Sequence, residues 1–251
     1  MPEFKLPSSP KASASVSELM EAATRVFRTT LAKSLPVAML ANLFAALAGM
    51  YWMTTGKPMS LLHPPDDARF WGLTLFGLAG YQWLAAVLML RQHALVTRAV
   101  PDLQQEWRFA AARWPLLMVS AILAGVGVFA GLLALLVPGV FAFVCFLLLR
   151  PVVLFEKLDA VQSLGRCIKL VSPLWTKVLA AVVIATLVIA ICALAAAACV
   201  GIFEAVLTAA GAPPAAVSAF GAACSLGVQA VALVYFSALW LVLYSAASSS
   251  A

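Results

Sequence analysis

The chain has 251 residues, of which 64% are hydrophobic and only 10% are charged, and its mean hydropathy is +1.03. Soluble domains carry about 25% charged residues, so this composition excludes a soluble globular protein and indicates an integral membrane protein. The net charge is +6. Because the basic residues stand beside the ends of apolar runs and alternate with Asp and Glu, we predict contact with anionic lipid headgroups and no nucleic-acid partner.

The first segment, 1–14, is rich in Pro and Ser and is predicted to be a disordered cytoplasmic tail. Ser15 followed by Glu18 forms a capping box, which predicts a helix start. The apolar residues that follow recur at helical spacing, so an amphipathic helix at the cytoplasmic membrane surface is expected: they are Val16, Leu19, Met20, Ala23, Val26 and Phe27. Pro36 is predicted to lie in the first turn of a new helix, where a proline is tolerated.

Six apolar runs predict six membrane crossings. Five cover about 35–53, 71–90, 116–136, 178–203 and 217–244, and the fourth in chain order lies between a tight Val137-Pro138-Gly139 turn and Arg150. Two more surface helices are predicted before the third and fifth crossings. Asp102 opens one, and Asp159 opens the other, whose apolar face is predicted to contain Leu158, Val161, Leu164, Ile168 and Val171. Pro115 and Pro173 follow these helices, as Pro36 follows the first.

The distribution of basic residues predicts the orientation. Fourteen of the 16 Lys and Arg precede the first crossing or lie between the second and third or the fourth and fifth, and only Lys57 and Arg69 lie elsewhere. Basic loops stay in the cytoplasm, so both termini are predicted to be cytoplasmic and the protein is predicted to be multi-pass in a bacterial inner membrane.

The predicted elements repeat three times, in modules 15–97, 101–155 and 158–245 of a single transmembrane domain, 15–245, followed by a short cytoplasmic tail, 246–251. The predicted fold is therefore all-α and polytopic. Its six transmembrane helices form three hairpins, and a cytoplasmic amphipathic helix precedes each hairpin.

Three stretches carry a family resemblance: the Val137–Phe141 turn, the Arg150–Leu154 segment, and the run from Leu158 to Trp175. They resemble the six-helix membrane domain that is fused to some bacterial glycerophosphodiester phosphodiesterases, and its stand-alone YciC-type relatives, which are largely uncharacterised. The resemblance implies an inner-membrane location. The soluble phosphodiesterase domain, with its His and paired acidic metal ligands, is not in this sequence, so no such activity is implied.

The sequence shows no catalytic set, since it has two His and no Asp or Glu in the middle of an apolar run. We therefore predict no enzymatic activity, no cofactor and no metal site. A loop with His63, Asp66 and Asp67 also contains two prolines, which is typical of a solvated turn rather than of a metal site. The five cysteines are interpreted as small core residues without disulfide pairing: Cys145, Cys167, Cys192, Cys199 and Cys224.

Arg91 and Arg150 end the second and fourth crossings, and they are the candidate contacts for an anionic lipid. Each guanidinium either extends independently to the headgroups or holds a phosphate by two hydrogen bonds. If the modules pack around one axis, the two arginines are expected to stand together at the cytoplasmic rim. Glu204 is expected at the outer interface. Three amides are expected either to hydrogen-bond between helices or to line a small polar path: Asn42, Gln82 and Gln229.

Two classes of function remain open from the sequence. One is a non-enzymatic scaffold or a component of envelope or lipid homeostasis, in contact with membrane lipids and with a protein partner or a second copy of the chain. The other is a small-molecule or ion transporter or channel built from parallel repeats. Transporters usually place ionisable or broken-helix features near the membrane midplane, and few are evident here.

Overall fold

A computed structural model describes residues 13–55, 66–97, 102–156 and 158–249. These ranges contain helices and turns and no strand. In chain order the helices are α1 (Val16–Thr55), α2 (Ala68–Val96), α3 (Leu103–Ala134), α4 (Leu136–Phe146), α5 (Leu149–Phe155), α6 (Ala160–Val171), α7 (Trp175–Ala209) and α8 (Pro214–Ser248). A single 3₁₀ turn, Ser172–Leu174, joins α6 to α7.

Six segments are long and apolar enough to cross a membrane: Val16–Thr55, Ala68–Val96, Leu103–Ala134, Leu136–Phe155, Ala160–Ala209 and Pro214–Ser248. Each contains one of the six predicted crossings. The all-α fold is thus confirmed, and the structure is that expected of a polytopic membrane protein. Helix α8 also continues into the predicted tail, where Ala246 and Ala247 are buried.

Helix α1 begins as predicted but does not end where expected. The Ser15 N–H donates to the Glu18 carboxylate at 2.7 Å, and the Glu18 N–H donates to the Ser15 hydroxyl at 3.3 Å, which confirms the capping box. The helix then continues through Pro36 to Thr55, so the prediction of a new helix at Pro36 is wrong. At 40 residues it is about 60 Å long, twice the thickness of a hydrocarbon core.

Packing explains why α1 continues through its proline. The apolar face predicted to rest on lipid lies against α8 instead, with Leu19, Ala23 and Val26 buried. The same face continues on the far side of Pro36. One turn before the proline, the Lys33 carbonyl accepts a hydrogen bond from Arg91 Nε at 2.8 Å. Neighbouring helices commonly stabilise a proline in a transmembrane helix in this way.

Helix α3 likewise continues through Pro115. Asp102 caps it, because the side chain accepts from the Gln104 N–H at 3.0 Å. Only the third module keeps its surface helix separate: α6 ends at Val171, and Pro173 lies in the 3₁₀ turn before α7. Asp159 precedes α6 but makes no side-chain capping bond.

The turn between α3 and α4 lies at Leu135, whose backbone is extended, so the tight turn predicted at Pro138-Gly139 is misplaced. Both residues lie in the first turn of α4, where a proline is tolerated. The two helices approach closely here, since a Cβ added to Gly131 would lie 3.0 Å from the Gly139 Cα. Small residues such as Gly131 allow transmembrane helices to pack this closely.

The buried residues of α8 lie in its second half, 230–247, and this helix contacts α1, α2, α5, α6 and α7. Helix α1 also packs on α2, and α3 packs on α4. Lys177 at the start of α7 donates to the Ala14 carbonyl at 3.1 Å. We call the side where α1 and α7 begin the terminal end, and the side with the turn at Leu135 the hairpin end.

The face of α6 that packs inward differs from the predicted face. Ser163, Cys167 and Leu170 are buried, whereas Val161 is 72% and Ile168 41% exposed. Of the predicted apolar face, Val171 is buried and Leu158 and Leu164 pack partly against the core, whereas Val161 and Ile168 point outward. Ser163 was not among the residues predicted for the apolar face. In membrane bundles small residues often form the helix contact.

We predict that Ser163→Asp destabilises the protein while Gln162→Asp is tolerated, because Ser163 is fully buried and Gln162 is exposed. Removing a carboxylate from water without a partner costs several kcal/mol. The measurement is thermal unfolding of the detergent-solubilised variants. Equal unfolding temperatures for the two variants would show that α6 does not pack as described.

Candidate ligand site around Arg150

A break in the fourth crossing positions Arg150. Pro151 has no N–H and so cannot donate to the carbonyl of Leu147, four residues earlier. The helix is interrupted at this point, with α4 ending at Phe146 and α5 starting at Leu149. Arg150 therefore lies in the first turn of a new, short helix.

The Arg150 side chain points into the bundle. Its Nη2 donates to Gln82 Oε1 on α2 at 2.6 Å, and the guanidinium carbon lies 5.2 Å from the centre of the Trp240 ring on α8. Gln82 is the middle residue of the 29-residue α2. It therefore lies about 21 Å from either end of that helix. Arg150 thus contacts α2 at mid-height, and not at the rim where the sequence placed it.

A cavity of about 610 Å³ adjoins Arg150. Its walls are apolar except for Gln82, Arg150 and Trp240, and Arg150 is the one charged residue among those that line it. Phe129 on α3 and Phe143 on α4 belong to the wall and are 64% and 52% exposed. The cavity is therefore a groove between α3 and α4 that opens on the outer, apolar surface of the bundle.

Two donors of residues at this groove make no hydrogen bond within the described part of the chain, although the Tyr81 side chain also lies beside the Arg150 guanidinium. They are Arg150 Nη1 and the indole Nε1 of Trp240, and both atoms are buried. Buried polar atoms in proteins are nearly always hydrogen-bonded, so such groups require a partner. Both are donors and one carries a positive charge. The partner that fits is an acceptor with a negative charge.

A second cavity, of about 400 Å³, also borders Trp240. It shares Phe143, Leu147 and Trp240 with the first and is lined in addition by Asn42, Tyr81 and Gln229. Gln229 donates to Ser225 of its own helix at 3.2 Å, and Asn42 Nδ2 has no partner within the described residues. These amides line a polar space, which was one of the two roles expected for them.

Arg91 is held differently. Besides its bond to the Lys33 carbonyl, Nη1 lies 3.7 Å from a carboxylate oxygen of Glu106, whose side chain is only 8% exposed. Arg91 is nine residues from Gln82 on α2, so it lies about 13 Å nearer the terminal end than the contact of Arg150. The structure therefore does not bring the two arginines together. Arg91 joins α1, α2 and α3.

Sequence reasoning missed a cluster at the terminal end. Glu156, which follows α5, accepts from Arg166 Nε on α6 and from the Tyr244 hydroxyl on α8, both at 3.0 Å. Phe155 stacks on Tyr244 with ring centres 6.0 Å apart. A carboxylate directly after an apolar run was the available signal, but its partners lie 10 and 88 residues away. The cluster ties together α5, α6 and α8.

The remaining candidates lie apart from the groove. Glu204 on α7 faces Gly221 on α8, where a side chain would leave no room for the carboxylate. All five cysteines are free. The described residues contain no group of three or more His, Cys, Asp or Glu that could hold a metal ion. His63 lies outside the described residues, as do 1–12 of the predicted tail.

Comparisons with family models, with curated proteins and with solved structures find no match to this chain. The family resemblance inferred from the sequence therefore stays a prediction.

Proposed function

We propose that this chain is a multi-pass protein of a bacterial inner membrane that binds an anionic lipid at Arg150. In this proposal it is a non-catalytic component of envelope or lipid homeostasis. One observation carries it: a guanidinium at mid-height of the bundle, with a buried and unpaired donor, beside a 610 Å³ apolar groove that opens outward.

The energetics favour an anion at this place. An Arg near the centre of a transmembrane helix costs about 2.5–3.5 kcal/mol on insertion scales. A desolvated cation over an aromatic ring recovers about 2 kcal/mol, and the neutral Gln82 oxygen satisfies a single nitrogen. A phosphate or carboxylate would satisfy the remaining nitrogens by charge-assisted hydrogen bonds. The acyl part of the same molecule would contact the apolar walls.

The proposed topology is that of three hairpins with cytoplasmic termini and a surface helix at the start of each module. It is supported by the 14 of 16 basic residues that this orientation places in the cytoplasm. Arg166, Lys169 and Lys177 then lie at the cytoplasmic face, near anionic headgroups. The exposed apolar surface of α7, where just Val178, Ala181 and Ala185 are buried, is available to lipid, a protein partner or a second copy.

A transporter or channel is the second candidate function, and the second cavity favours it. The two cavities share Trp240, and the amides of Asn42 and Gln229 give the second one a polar wall. A discontinuous fourth crossing is also a feature of transporters. In this function Trp240 would separate the two spaces. Flux of a small anion through proteoliposomes that contain the purified protein would support it.

The topology predicts the results of reporter fusions. Fusions after Ser60 and Ala212 should report the outside of the inner membrane, and fusions after Gln104, Gln162 and Ala251 should report the cytoplasm. The reason is the strong bias of Lys and Arg to cytoplasmic loops. A cytoplasmic signal at Ser60 would overturn the topology.

Native mass spectrometry tests the lipid site. The detergent-extracted protein is expected to retain phosphatidylglycerol or another anionic lipid, and Arg150→Lys should reduce the retained fraction at least several-fold. Lysine keeps the charge but loses the planar set of donors. Arg91→Lys is the matched control, since Arg91 already donates to Lys33 and faces Glu106. Unchanged retention in Arg150→Lys would contradict the proposed site.

A further inference from the structure

The two cavities that share Trp240 differ in their chemistry, and together they indicate what kind of headgroup the anionic lipid carries. We infer that Arg150 holds the phosphate of this lipid while the second cavity takes an uncharged, hydroxyl-bearing headgroup, such as the glycerol of phosphatidylglycerol. This inference rests on the proposed function, because it specifies which class of anionic lipid binds at Arg150.

The Arg150 guanidinium connects the two cavities. Arg150 lines the groove, and its guanidinium lies over the ring of Trp240, which borders both cavities. The guanidinium also lies beside the side chain of Tyr81, which lines the second cavity. Phe143 and Leu147 of α4 belong to both linings. A phosphate bound at the guanidinium is therefore next to both spaces, and a phosphodiester can extend a different substituent into each.

The second cavity is polar but uncharged. Among the described residues that line it there is no Asp, Glu, Lys or Arg, whereas Asn42, Thr186 and Gln229 contribute two amides and a hydroxyl. These three side chains come from three different helices, α1, α7 and α8. The polar character of this space is therefore a property to which separate parts of the chain contribute, and not the effect of one side chain.

Asn42 is the residue that requires a partner in the second cavity. It is 6% exposed, and its Nδ2 makes no hydrogen bond within the described part of the chain. Buried amide nitrogens in proteins are nearly always paired. Gln229 donates from its amide nitrogen to Ser225 of its own helix, so the group that it offers to a ligand is its carbonyl oxygen. The cavity thus presents a donor and an acceptor, and a hydroxyl group can pair with either.

A charged headgroup does not suit this space. An ammonium would meet no carboxylate among the described lining residues, and it would lie near the Arg150 guanidinium, which already occupies a face of the Trp240 ring. A carboxylate would add a negative charge beside the phosphate, and the lining of the second cavity supplies no cation to balance it. Removing an unpaired charge from water is strongly unfavourable. Phosphatidylethanolamine and phosphatidylserine are therefore expected to bind more weakly than phosphatidylglycerol.

Two substitutions remove polar groups of the second cavity and leave Arg150 in place. Asn42→Leu replaces the buried amide by an apolar side chain of similar size. Gln229→Leu makes the same replacement at an exposed position, so it keeps the test valid if Asn42→Leu does not fold. Gln162→Leu on α6 is the matched control, since Gln162 is exposed and lines neither cavity. Arg150→Gln removes the cation.

The experiment is titration of the delipidated full chain in detergent with dioleoyl lipids, with the bound fraction measured by native mass spectrometry. Phosphatidylglycerol and phosphatidylethanol form the central comparison, because both are phosphodiesters with one negative charge and only the first has hydroxyls in its headgroup. We expect the Kd of phosphatidylglycerol to be about ten-fold lower than that of phosphatidylethanol, the effect of one or two hydrogen bonds. Phosphatidylserine and phosphatidylethanolamine should bind no better than phosphatidylethanol.

The variants assign this preference to the second cavity. Asn42→Leu and Gln229→Leu should weaken phosphatidylglycerol binding to the level of phosphatidylethanol, and Gln162→Leu should leave both affinities unchanged. Glycerophosphoglycerol, which has the same headgroup and no acyl chain, should not compete, because it lacks the part that contacts the groove.

Four results would overturn the inference: equal affinity for phosphatidylglycerol and phosphatidylethanol, binding of phosphatidylserine or phosphatidylethanolamine as tight as that of phosphatidylglycerol, an unchanged preference in Gln229→Leu, or competition by glycerophosphoglycerol as strong as that by the lipid. The failure of the proposed function has a different pattern. If phosphatidylglycerol and phosphatidylethanol bind equally and both are lost in Arg150→Gln, Arg150 still holds an anionic lipid and the headgroup inference alone is wrong. If neither lipid depends on Arg150, both are wrong.

Discussion

The structure depends on the way in which a bundle of apolar helices accommodates one guanidinium at mid-height. Arg150 reaches Gln82 at the middle of α2 and lies over the Trp240 ring of α8. An ionised side chain removed from water needs such partners, and its cost falls further when an anion is available. The groove between α3 and α4 leads to this point from the outer surface. The Arg150 guanidinium, the groove beside it and the opening of the groove on the outer surface therefore form one site.

Features at both ends of the short helix α5 set the position of Arg150. Pro151 interrupts the fourth crossing, so that α5 begins separately from α4. At the other end of α5, Glu156 is held by Arg166 and Tyr244. The distance from Arg150 to Glu156 along the helix is six residues, or about 9 Å. The cluster at the terminal end and Arg150 thus both hold α5 in position. A substitution of Glu156 is therefore expected to displace Arg150.

Hydropathy and local motifs were sufficient to predict the elements. Six apolar runs became six helical segments of spanning length, and the Ser15 capping box and the Asp102 cap are present. The sequence did not show which face of each helix packs against the rest of the protein. Continuation of α1 through Pro36 depends on packing against α8, and the inward face of α6 depends on the fit of Ser163 and Cys167. Arg150 was placed at a rim because it ends an apolar run, and the sequence did not show that its side chain would reach Gln82 in the middle of α2.

The central claim is that Arg150 holds an anion inside the bundle. The most direct measurement is a structure determined by electron cryomicroscopy of the protein in nanodiscs made from native lipids. The account predicts density for an acidic headgroup within hydrogen-bond distance of Arg150 Nη1, with a chain along α3 between Leu117 and Leu132. An Arg150 side chain that extends to the membrane surface, with no density in the groove, would contradict it.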